Sequence, residues 1–471
     1  MQYEGAVKEG GRGPTIWDTF SHTFGKITDF SNADVAVDQY HRYEEDVQLM
    51  KNMGMDAYRF SISWARIFPN GVGQINEAGI NHYNKLIDAL LAKGIEPYVT
   101  LYHWDLPQAL HDRYLGCNDF AAYAEVCFQR FGDRVKHWIT FNEPQTFSIH
   151  GYAIGLQAPG RCSILFKLTC RSGNSSTEPY IVGHNVILSH ATVSDIYRKK
   201  YKRGLNRSQT RQKTLKLHKE LKTFSLAGKL QHVIILLHEV ITVSWLKSDD
   251  IYEYDARFLD PLMFGDYPSS MRSRVGSRLP VFTGSQSVLV KGSLDFVGIN
   301  HYTTYYARNN ATNLMGTVLD GAFSDSGTVT QPFKGVTPIG DRANSLWLYI
   351  VPRGMRSVMN YVKHRYGNPQ VFITENGMDD PNNILIPREE ALKDGKRIRY
   401  HHDYLSNLQA AIKEDGCNVK GYFAWSLLDN WEWASGYSSR FGLYFVDYRD
   451  NLKRYPKDSV HWFTSFLNST S

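Results

Sequence analysis

The sequence has little of what defines several protein classes. Five cysteines in 471 residues are too few for a disulfide scaffold, and no Cys/His spacing is typical of a zinc site. The longest apolar run, residues 233–246, is broken by His238 and Glu239 and is too short to cross a bilayer. No apolar segment of a signal peptide follows Met1. We therefore expect no metal centre and no membrane partner.

What is present indicates a folded globular chain. Aromatic residues make up 13% and charged residues 21% of the sequence. The net charge of +6 is uneven, because residues 198–229 hold twelve Lys or Arg against the single acid Glu220. This run has few aromatics and no nucleic-acid motif. A charged loop is favoured over a nucleic-acid binder, so no nucleic-acid partner is predicted.

Strand and helix patterns alternate along the chain. Strands are predicted at 57–62, 95–101, 135–141, 294–299, 371–374 and 421–425, and helices at 80–92, 120–131, 180–197, 349–366 and 404–413. This order indicates βα units and a parallel sheet. One more strand at the N-terminus and one within 202–256 would make an α/β fold of the (β/α)8 TIM barrel type. Nothing resembles a linker, so residues 1–471 are predicted to form one domain.

Two strands end in a glutamate. The strand at 135–141 runs into Asn142, Glu143 and Pro144, and the strand at 371–374 runs into Glu375 and Asn376. The carboxyl ends of barrel strands share one face, so the two carboxylates can point at one spot. Paired carboxylates are what cleavage of a glycosidic bond needs. The alternative is a pair of unrelated surface glutamates.

Four other predicted strands also carry, or end in, polar or aromatic residues. They carry Arg59, His103 with Trp104, Asn300 to Tyr302, and Trp425. Taken singly, Arg59 or Asn300 is equally well explained as a structural hydrogen-bonding residue. Six such strand ends in succession favour an active site.

At these residues the chain resembles glycoside hydrolase family 1, the retaining β-glucosidases, and most closely its plant members. The resemblance spans almost the whole length and includes YRFSISW (58–64), YHWD (102–105), TFNEP (140–144), FVGIN (296–300), ITENG (373–377), WSLLDNWEW (425–433) and RFGL (440–443). It implies a TIM barrel, hydrolysis of small β-glucosides with retention of configuration, and no cofactor.

The resemblance also implies roles for individual residues. Glu375 matches the nucleophile and Glu143 the acid/base, while Arg59 and Tyr302 match residues that contact the nucleophile. Asn142 matches the residue that bonds the sugar 2-hydroxyl. The remaining matches are the glucose contacts Gln2, His103, Glu432 and Trp433, the aglycone platform Trp425, the pocket wall Phe441, and the supporting Asn300 and Trp104.

The chain departs from the family in three places. The first barrel strand is expected to be truncated, because the family pattern starts at about Gln2, which would then lie on a frayed terminus. The loop at 115–118 is short. The pattern is lost over 202–256, so the fifth-strand region is atypical, although 230–243 could substitute for that strand. A mis-predicted gene segment is our hypothesis here, and the alternative function is an impaired relative that only binds sugar.

The cysteines and sequons bear on the compartment. Cys162 and Cys170 lie eight apart and could pair, whereas Cys117, Cys127 and Cys417 look unpaired. N-x-S/T sequons occur at Asn174, Asn206, Asn310 and Asn468. By resemblance we expect a secreted, vacuolar or other secretory-pathway glycoprotein. The oligomeric state is not predicted.

Overall fold

Helices and strands alternate along the chain as the residue patterns predict. The computed structural model describes residues 2–114, 119–163, 170, 172–202, 232–234, 236–244, 256–309 and 324–468. The helices are α1 Ile16–Ser21, α2 Gln39–Met53, α3 Trp64–Ile67, α4 Glu77–Ala92, α5 Gln108–Tyr114, α6 Phe120–Phe131, α7 Pro144–Tyr152, α8 Glu178–Ile196, α9 Ala256–Phe264, α10 Ser269–Val275, α11 Gly284–Val290, α12 Arg353–Tyr366, α13 Arg388–Ala391, α14 Gly395–Lys413 and α15 Asp458–Asn468.

The strands fall into a parallel set and a group of short antiparallel pairs. They are β1 Ala57–Ser61, β2 Glu96–Tyr102, β3 His137–Phe141, β4 His232–Ile234, β5 Leu236–Ser244, β6 Val297–Asn309, β7 Thr328–Gln331, β8 Phe333–Lys334, β9 Thr337–Pro338, β10 Asp341–Arg342, β11 Tyr349–Ile350, β12 Val371–Glu375, β13 Asp380–Pro381, β14 Val419–Tyr422, β15 Ser439–Arg440, β16 Tyr444–Asp447 and β17 Lys453–Pro456.

The parallel strands form two rows. One row has the order β1-β2-β3-β4, and the other has the order β14-β12-β6-β5. Every pairing within these orders is parallel. Because parallel strands need a crossover on the outside, helices such as α4 and α6 cover the rows. The arrangement is that of a β/α barrel.

The segment at 230–243 supplies strands to this barrel, as the sequence suggested it could. The backbone of β4 continues the row after β3, and the backbone of β5 lies beside β6. Most of the divergent segment, at 203–231, 235 and 245–255, lies outside the described residues, as does the short loop at 115–118. The basic run is therefore described only as far as residue 202.

Helix α4 illustrates how the outer layer is built. Tyr83, Ile87 and Leu90 recur at helical spacing, are fully buried, and form the face turned towards the core. The helix ends before Gly94, whose φ of 75° is a left-handed conformation that glycine adopts without strain. Trp64 and Trp431 are also fully buried and belong to the core.

Several predicted boundaries were wrong: the strand predicted at 294–299 is Val297–Asn309, and the helix predicted at 404–413 begins at Gly395. The helix predicted over 349–366 begins only at Arg353, because Tyr349–Ile350 pairs with Asp341–Arg342 as strand β11. Pro352 lies between the two elements. The strand predicted at 421–425 is instead Val419–Tyr422. Across the described ranges, no helix combines the length and apolar character needed to span a membrane.

Candidate active site

Glu143 is presented by the turn between β3 and α7. Pro144 occupies the first position of α7, where its missing N–H costs no hydrogen bond. Glu143 itself has a φ of 47°, in the left-handed region that few side chains adopt. The residue is 5% exposed. A strained, buried carboxyl at a strand end is typical of a functional position.

Glu375 is the last residue of β12 and is 4% exposed. Two residues later the chain passes close to Trp425, since a Cβ on Gly377 would lie 1.8 Å from the Trp425 carbonyl oxygen. Only glycine fits there. Between them, Asn376 is held by the Tyr422 hydroxyl, which donates to its Oδ1 at 2.7 Å. These contacts fix the end of the strand and hence the Glu375 side chain.

A continuous hydrogen-bond network joins the two glutamates. The guanidinium of Arg59 donates to Glu375 Oε1 at 2.5 Å and to Asn142 Oδ1 at 2.8 Å. Asn300 Nδ2 donates to the same Asn142 oxygen at 3.1 Å and to Glu143 Oε1 at 2.7 Å. Three side chains, Arg59 from β1, Asn142 from the end of β3 and Asn300 from β6, thus bring both carboxylates to one place.

The charge state of Glu375 reflects opposing influences. Burial raises its pKa, the Arg59 cation lowers it, and the neighbouring Glu143 raises it. The Tyr302 hydroxyl donates to Glu375 Oε2 at 2.6 Å and also favours the ionised form. The net direction is upward from the ordinary value. Arg59 and Tyr302 therefore favour the ionised form of this buried carboxyl group, which the predicted role of Glu375 as nucleophile requires.

The same network fixes the tautomer of His103. Arg59 only donates, so the Asn142 atom that it contacts must be the amide oxygen. The Asn142 NH2 group then faces His103 Nε2 at 3.0 Å, and that nitrogen must accept. Burial and the Arg59 charge lower the His103 pKa well below its usual value, so the ring is neutral. Its remaining proton sits on Nδ1 and can be donated to a sugar hydroxyl.

Gln2 and Glu432 form a second hydrogen-bonded set of side chains in the site. Gln2 is 5% exposed, and its Nε2 donates to Glu432 Oε2 at 3.3 Å. The expectation that Gln2 is frayed was wrong. The next residues anchor it: the Tyr3 carbonyl accepts from the N–H groups of Val37 and Gln39, and Glu4 pairs with Arg66 at 2.8 Å.

Glu432 has spare capacity for a ligand. Its Oε1 is buried and has no hydrogen-bond partner among the described residues. Burial, together with the charges of Asp379 and Glu375, raises its pKa to about 8. A buried carboxyl oxygen without a partner is costly. A sugar hydroxyl in this position would satisfy it.

Aromatic rings line the same space. His103 stacks on Trp433 and on Trp425, with ring centroids 5.6 Å and 6.2 Å away. Trp104 packs against Trp433 at 4.6 Å, and its indole N–H donates to the Asn142 carbonyl at 2.9 Å. Phe441 meets Tyr302 edge to face at 6.0 Å. Flat rings of this kind cover the apolar faces of sugars.

The structure thus gathers the predicted residues around one pocket. Trp425 lies beside His103, next to the predicted glucose contacts, and its role as an aglycone platform stays a prediction. Trp347 was missed by the sequence analysis. Trp347 meets the Tyr302 ring edge to face at 5.8 Å and is 40% exposed. It sits outside any regular element, where no periodic pattern marks it.

Other predicted features can be placed as well. Cys162 and Cys170 form a disulfide, while Cys127 and Cys417 are free and buried. Cys117 lies outside the described residues. Within the part of the chain that the structure describes, no cluster of three or more His, Cys, Asp or Glu residues is arranged to hold a metal ion.

Comparison with known proteins gives consistent results. The sequence model of Glycosyl hydrolase family 1 matches residues 1–221 and 245–471. The stretch that the family model does not match, 222–244, is shorter than the divergent segment predicted from the sequence, 202–256. The chain is 79% identical to Beta-glucosidase 40 of Arabidopsis thaliana over 100% of this chain and 90% of that protein. It is 65% identical to Beta-glucosidase 6 of Oryza sativa subsp. japonica, over 99% and 88% of the two chains.

Solved structures agree in fold. A rice Os3BGlu6 β-glucosidase mutant, captured in a covalent complex with Glc, matches with a TM-score of 0.92 at 64% identity, over 99% of this chain and 95% of that one. A family 1 β-glucosidase of the fungus Humicola insolens in complex with glucose matches with a TM-score of 0.88 at 40% identity, over 99% and 95%. The predicted (β/α)8 barrel is confirmed. The chain belongs to glycosyl hydrolase family 1.

Proposed function

We propose that this protein is a retaining β-glucosidase that releases terminal non-reducing β-D-glucosyl residues from small glucosides or oligosaccharides. The observation that carries the proposal is the network in which Arg59, Asn142 and Asn300 join Glu375 to Glu143. A site for double displacement needs two carboxyl groups close together, with one kept ionised and the other able to hold a proton.

In the first step Glu375 attacks the anomeric carbon. Its carboxylate oxygen forms the new bond while the bond to the leaving oxygen breaks, and Glu143 gives its proton to that oxygen. Arg59 and Tyr302 orient the Glu375 carboxylate for the attack. The product is a covalent glucosyl-enzyme and a free alcohol.

In the second step Glu143, now ionised, takes a proton from a water molecule. The water oxygen attacks the anomeric carbon from the face that the alcohol left, and the bond to Glu375 breaks. Two inversions give net retention, and both carboxyl groups return to their starting states. Asn300, which donates to Glu143 Oε1 at 2.7 Å, stabilises this ionised form.

The glucose contacts follow from the free hydrogen-bonding groups of the pocket. His103 Nδ1–H is a donor, Glu432 Oε1 is an acceptor, and the Gln2 amide lies beside Glu432. Asn142 shares Arg59 with Glu375, which supports the proposal that it bonds the sugar 2-hydroxyl. A site built to bond hydroxyls discriminates strongly against sugars that lack them.

Two observations on relatives support this assignment. The rice protein carries a covalent Glc in its structure, and the fungal protein binds glucose. By contrast, nothing in the described residues favours the alternative of an impaired sugar-binding relative. Gln2 is buried, and Glu143, Glu375 and their partners are all in contact.

The Cys162–Cys170 disulfide bears on the cellular compartment of the protein. A Cys162–Cys170 bond persists in oxidising environments such as the secretory pathway. This supports our proposal of a secreted or vacuolar enzyme acting on a small-molecule glucoside.

The test is hydrolysis of an aryl β-glucoside followed by NMR. We expect the β-anomer of glucose as the first product, and loss of turnover in Glu375→Gln, which preserves shape but cannot attack. Ser406→Ala on the surface of α14 serves as the matched control. Initial formation of the α-anomer, or undiminished turnover by Glu375→Gln, would overturn the proposal.

A further inference from the structure

Asp379 follows shortly after Glu375 in the chain and joins two other segments. Its side chain is buried, with the residue 1% exposed. The Ser345 hydroxyl donates to Asp379 Oδ2 at 2.6 Å, and the Ser345 backbone N–H lies 3.1 Å from both carboxylate oxygens. From a different segment, the Ser439 hydroxyl donates to Asp379 Oδ2 at 2.8 Å. One carboxylate therefore ties two segments to the chain that leaves β12.

The first segment is the tip of a hairpin. Strands β10 and β11 pair with each other, and residues 343–348 connect them and carry Trp347. The Asn344 backbone N–H donates to the Asp379 carbonyl at 3.2 Å, and Asn344 Nδ2 donates to Asp379 Oδ2 at 3.2 Å. The backbone and the side chain of Asp379 thus both hold the hairpin tip.

The second segment leads into Phe441. Ser439 and Arg440 form β15, which pairs with β13 directly after Asp379. Asn344 Nδ2 also lies 3.2 Å from the Ser439 hydroxyl oxygen, so the two segments contact each other as well as Asp379. Phe441 follows β15 without an intervening residue, and its position depends on this anchor.

The rings carried by the two segments meet on Tyr302. Trp347 contacts the Tyr302 ring edge to face at 5.8 Å, and Phe441 does so at 6.0 Å. The Tyr302 carbonyl is fixed separately, because the hydroxyls of Tyr400 and Tyr404 donate to it at 3.0 Å and 3.1 Å. With the backbone fixed, the two flanking rings set the direction of the Tyr302 side chain. Its hydroxyl then donates to Oε2 of the nucleophile carboxylate at 2.6 Å.

The chemistry of this anchor requires a carboxylate. The side-chain and backbone groups of Asn344, Ser345 and Ser439 that face Asp379 are all donors, and an ionised carboxylate only accepts. An asparagine in this place would turn an NH2 group towards one of these donors. A buried donor left without an acceptor is costly, so the segments would move apart.

We propose that Asp379 is a positioning residue for Glu375 that acts through Tyr302. The carboxylate holds Trp347 and Phe441 against the Tyr302 ring and thereby keeps the Tyr302 hydroxyl on the Glu375 carboxylate. The inference rests on the proposed function, in which Glu375 is the nucleophile.

The first experiment measures kcat/KM against pH on an aryl β-glucoside for Ser345→Ala, Ser439→Ala and the double variant. Each serine change removes one hydroxyl donor and keeps the Asp379 charge, which is one of the causes that raise the Glu432 pKa. We expect the acidic limb to move to higher pH, by roughly a few tenths of a unit singly and more in the double variant. The physical reason is weaker donation from Tyr302 to Glu375.

The other charged groups near Glu375 stay in place in these variants. They are Arg59, Glu143 and Glu432, and within the described ranges none of them hydrogen-bonds to Ser345 or Ser439. Asp379→Asn should shift the limb further in the same direction.

The second experiment asks whether the effect passes through the Tyr302 hydroxyl. Tyr302→Phe should lower kcat/KM by roughly 10–100-fold, because it removes a hydrogen bond to a charged group. In the Tyr302→Phe background, Ser345→Ala with Ser439→Ala should cause no further loss, since residues that act in one chain of contacts are not additive.

Asp260→Asn is the matched control for a merely structural role. Asp260 is also a buried aspartate, and the Tyr366 hydroxyl donates to it at 2.8 Å. This variant should lower the melting temperature without moving the acidic limb. An unmoved limb in the serine variants and in Asp379→Asn, or losses that multiply with Tyr302→Phe, would overturn the inference. Failure of the proposed function would show separately, because the unmodified protein would then not release the β-anomer of glucose.

Discussion

Arg59 holds Glu375 through a contact of 2.5 Å, and this pair sets the charge of the site. Both side chains are nearly fully buried, at 6% and 5% exposure. Burial alone pushes the Glu375 pKa upward, and the Arg59 cation is the largest opposing influence. The ionised form that the proposed nucleophile needs therefore depends on a residue from another strand.

Removing that cation should shift the pH profile. In Arg59→Gln the Glu375 pKa rises further. The acidic limb of the kcat/KM profile therefore moves to higher pH, by roughly one pH unit or more. Arg59→Lys keeps the positive charge but loses the guanidinium that contacts both Glu375 and Asn142, so it should shift the acidic limb less. The measurement is kcat/KM against pH on an aryl β-glucoside. Identical limbs in Arg59→Gln and the unmodified protein would contradict this account.

The two glutamates should respond differently to the leaving group. Glu143→Ala removes the proton donor, so activity on poor leaving groups falls by about 10²–10⁴-fold while good leaving groups are less affected. Glu375→Gly should lose turnover of substrates with poor and good leaving groups alike. An added small anion such as azide should rescue it with inverted stereochemistry, since the cavity can hold a replacement nucleophile. Parallel responses of the two variants would show that the roles are misassigned.

Glu432 should make stability depend on pH. Its folded pKa of about 8 lies above the ordinary value of 4.5, so its protonated form favours folding. The stabilisation is complete below the ordinary value and is lost as pH rises through about 8, at about 1.4 kcal/mol per unit. Glu432→Gln should flatten the fall of melting temperature over this range and raise KM for glucosides. A slope equal to that of the unmodified protein would count against the assignment.

Trp347 should act on the aglycone. Its partly exposed ring meets Tyr302 edge to face. Trp347→Ala should therefore raise KM for aryl β-glucosides several-fold and change KM for methyl β-glucoside little. Phe333→Ala, another exposed ring on an outer strand, is the control. Equal losses on both substrates would place Trp347 with the glucose contacts instead.

The positions that the sequence predicted well are those with strong local signals. Helix α6 runs from Phe120 to Phe131 as predicted, because its apolar residues recur at helical spacing. Glu143 and Glu375 stand at strand ends marked by Pro144 and Gly377. The burial of Gln2 depends on Tyr3 and Glu4 contacting residues far along the chain, and no local pattern encodes such contacts. Trp347 escaped notice for the same reason.

The left-handed backbone of Glu143 has a consequence for how this protein can change. A non-glycine residue in that conformation costs on the order of 1–3 kcal/mol, and glycine there would relax it. Replacing Glu143 with glycine therefore trades catalysis for stability in a single step. In a laboratory evolution experiment that screens only for heat resistance, the proposed acid/base Glu143 would be among the residues at risk, so such a screen must also select for turnover.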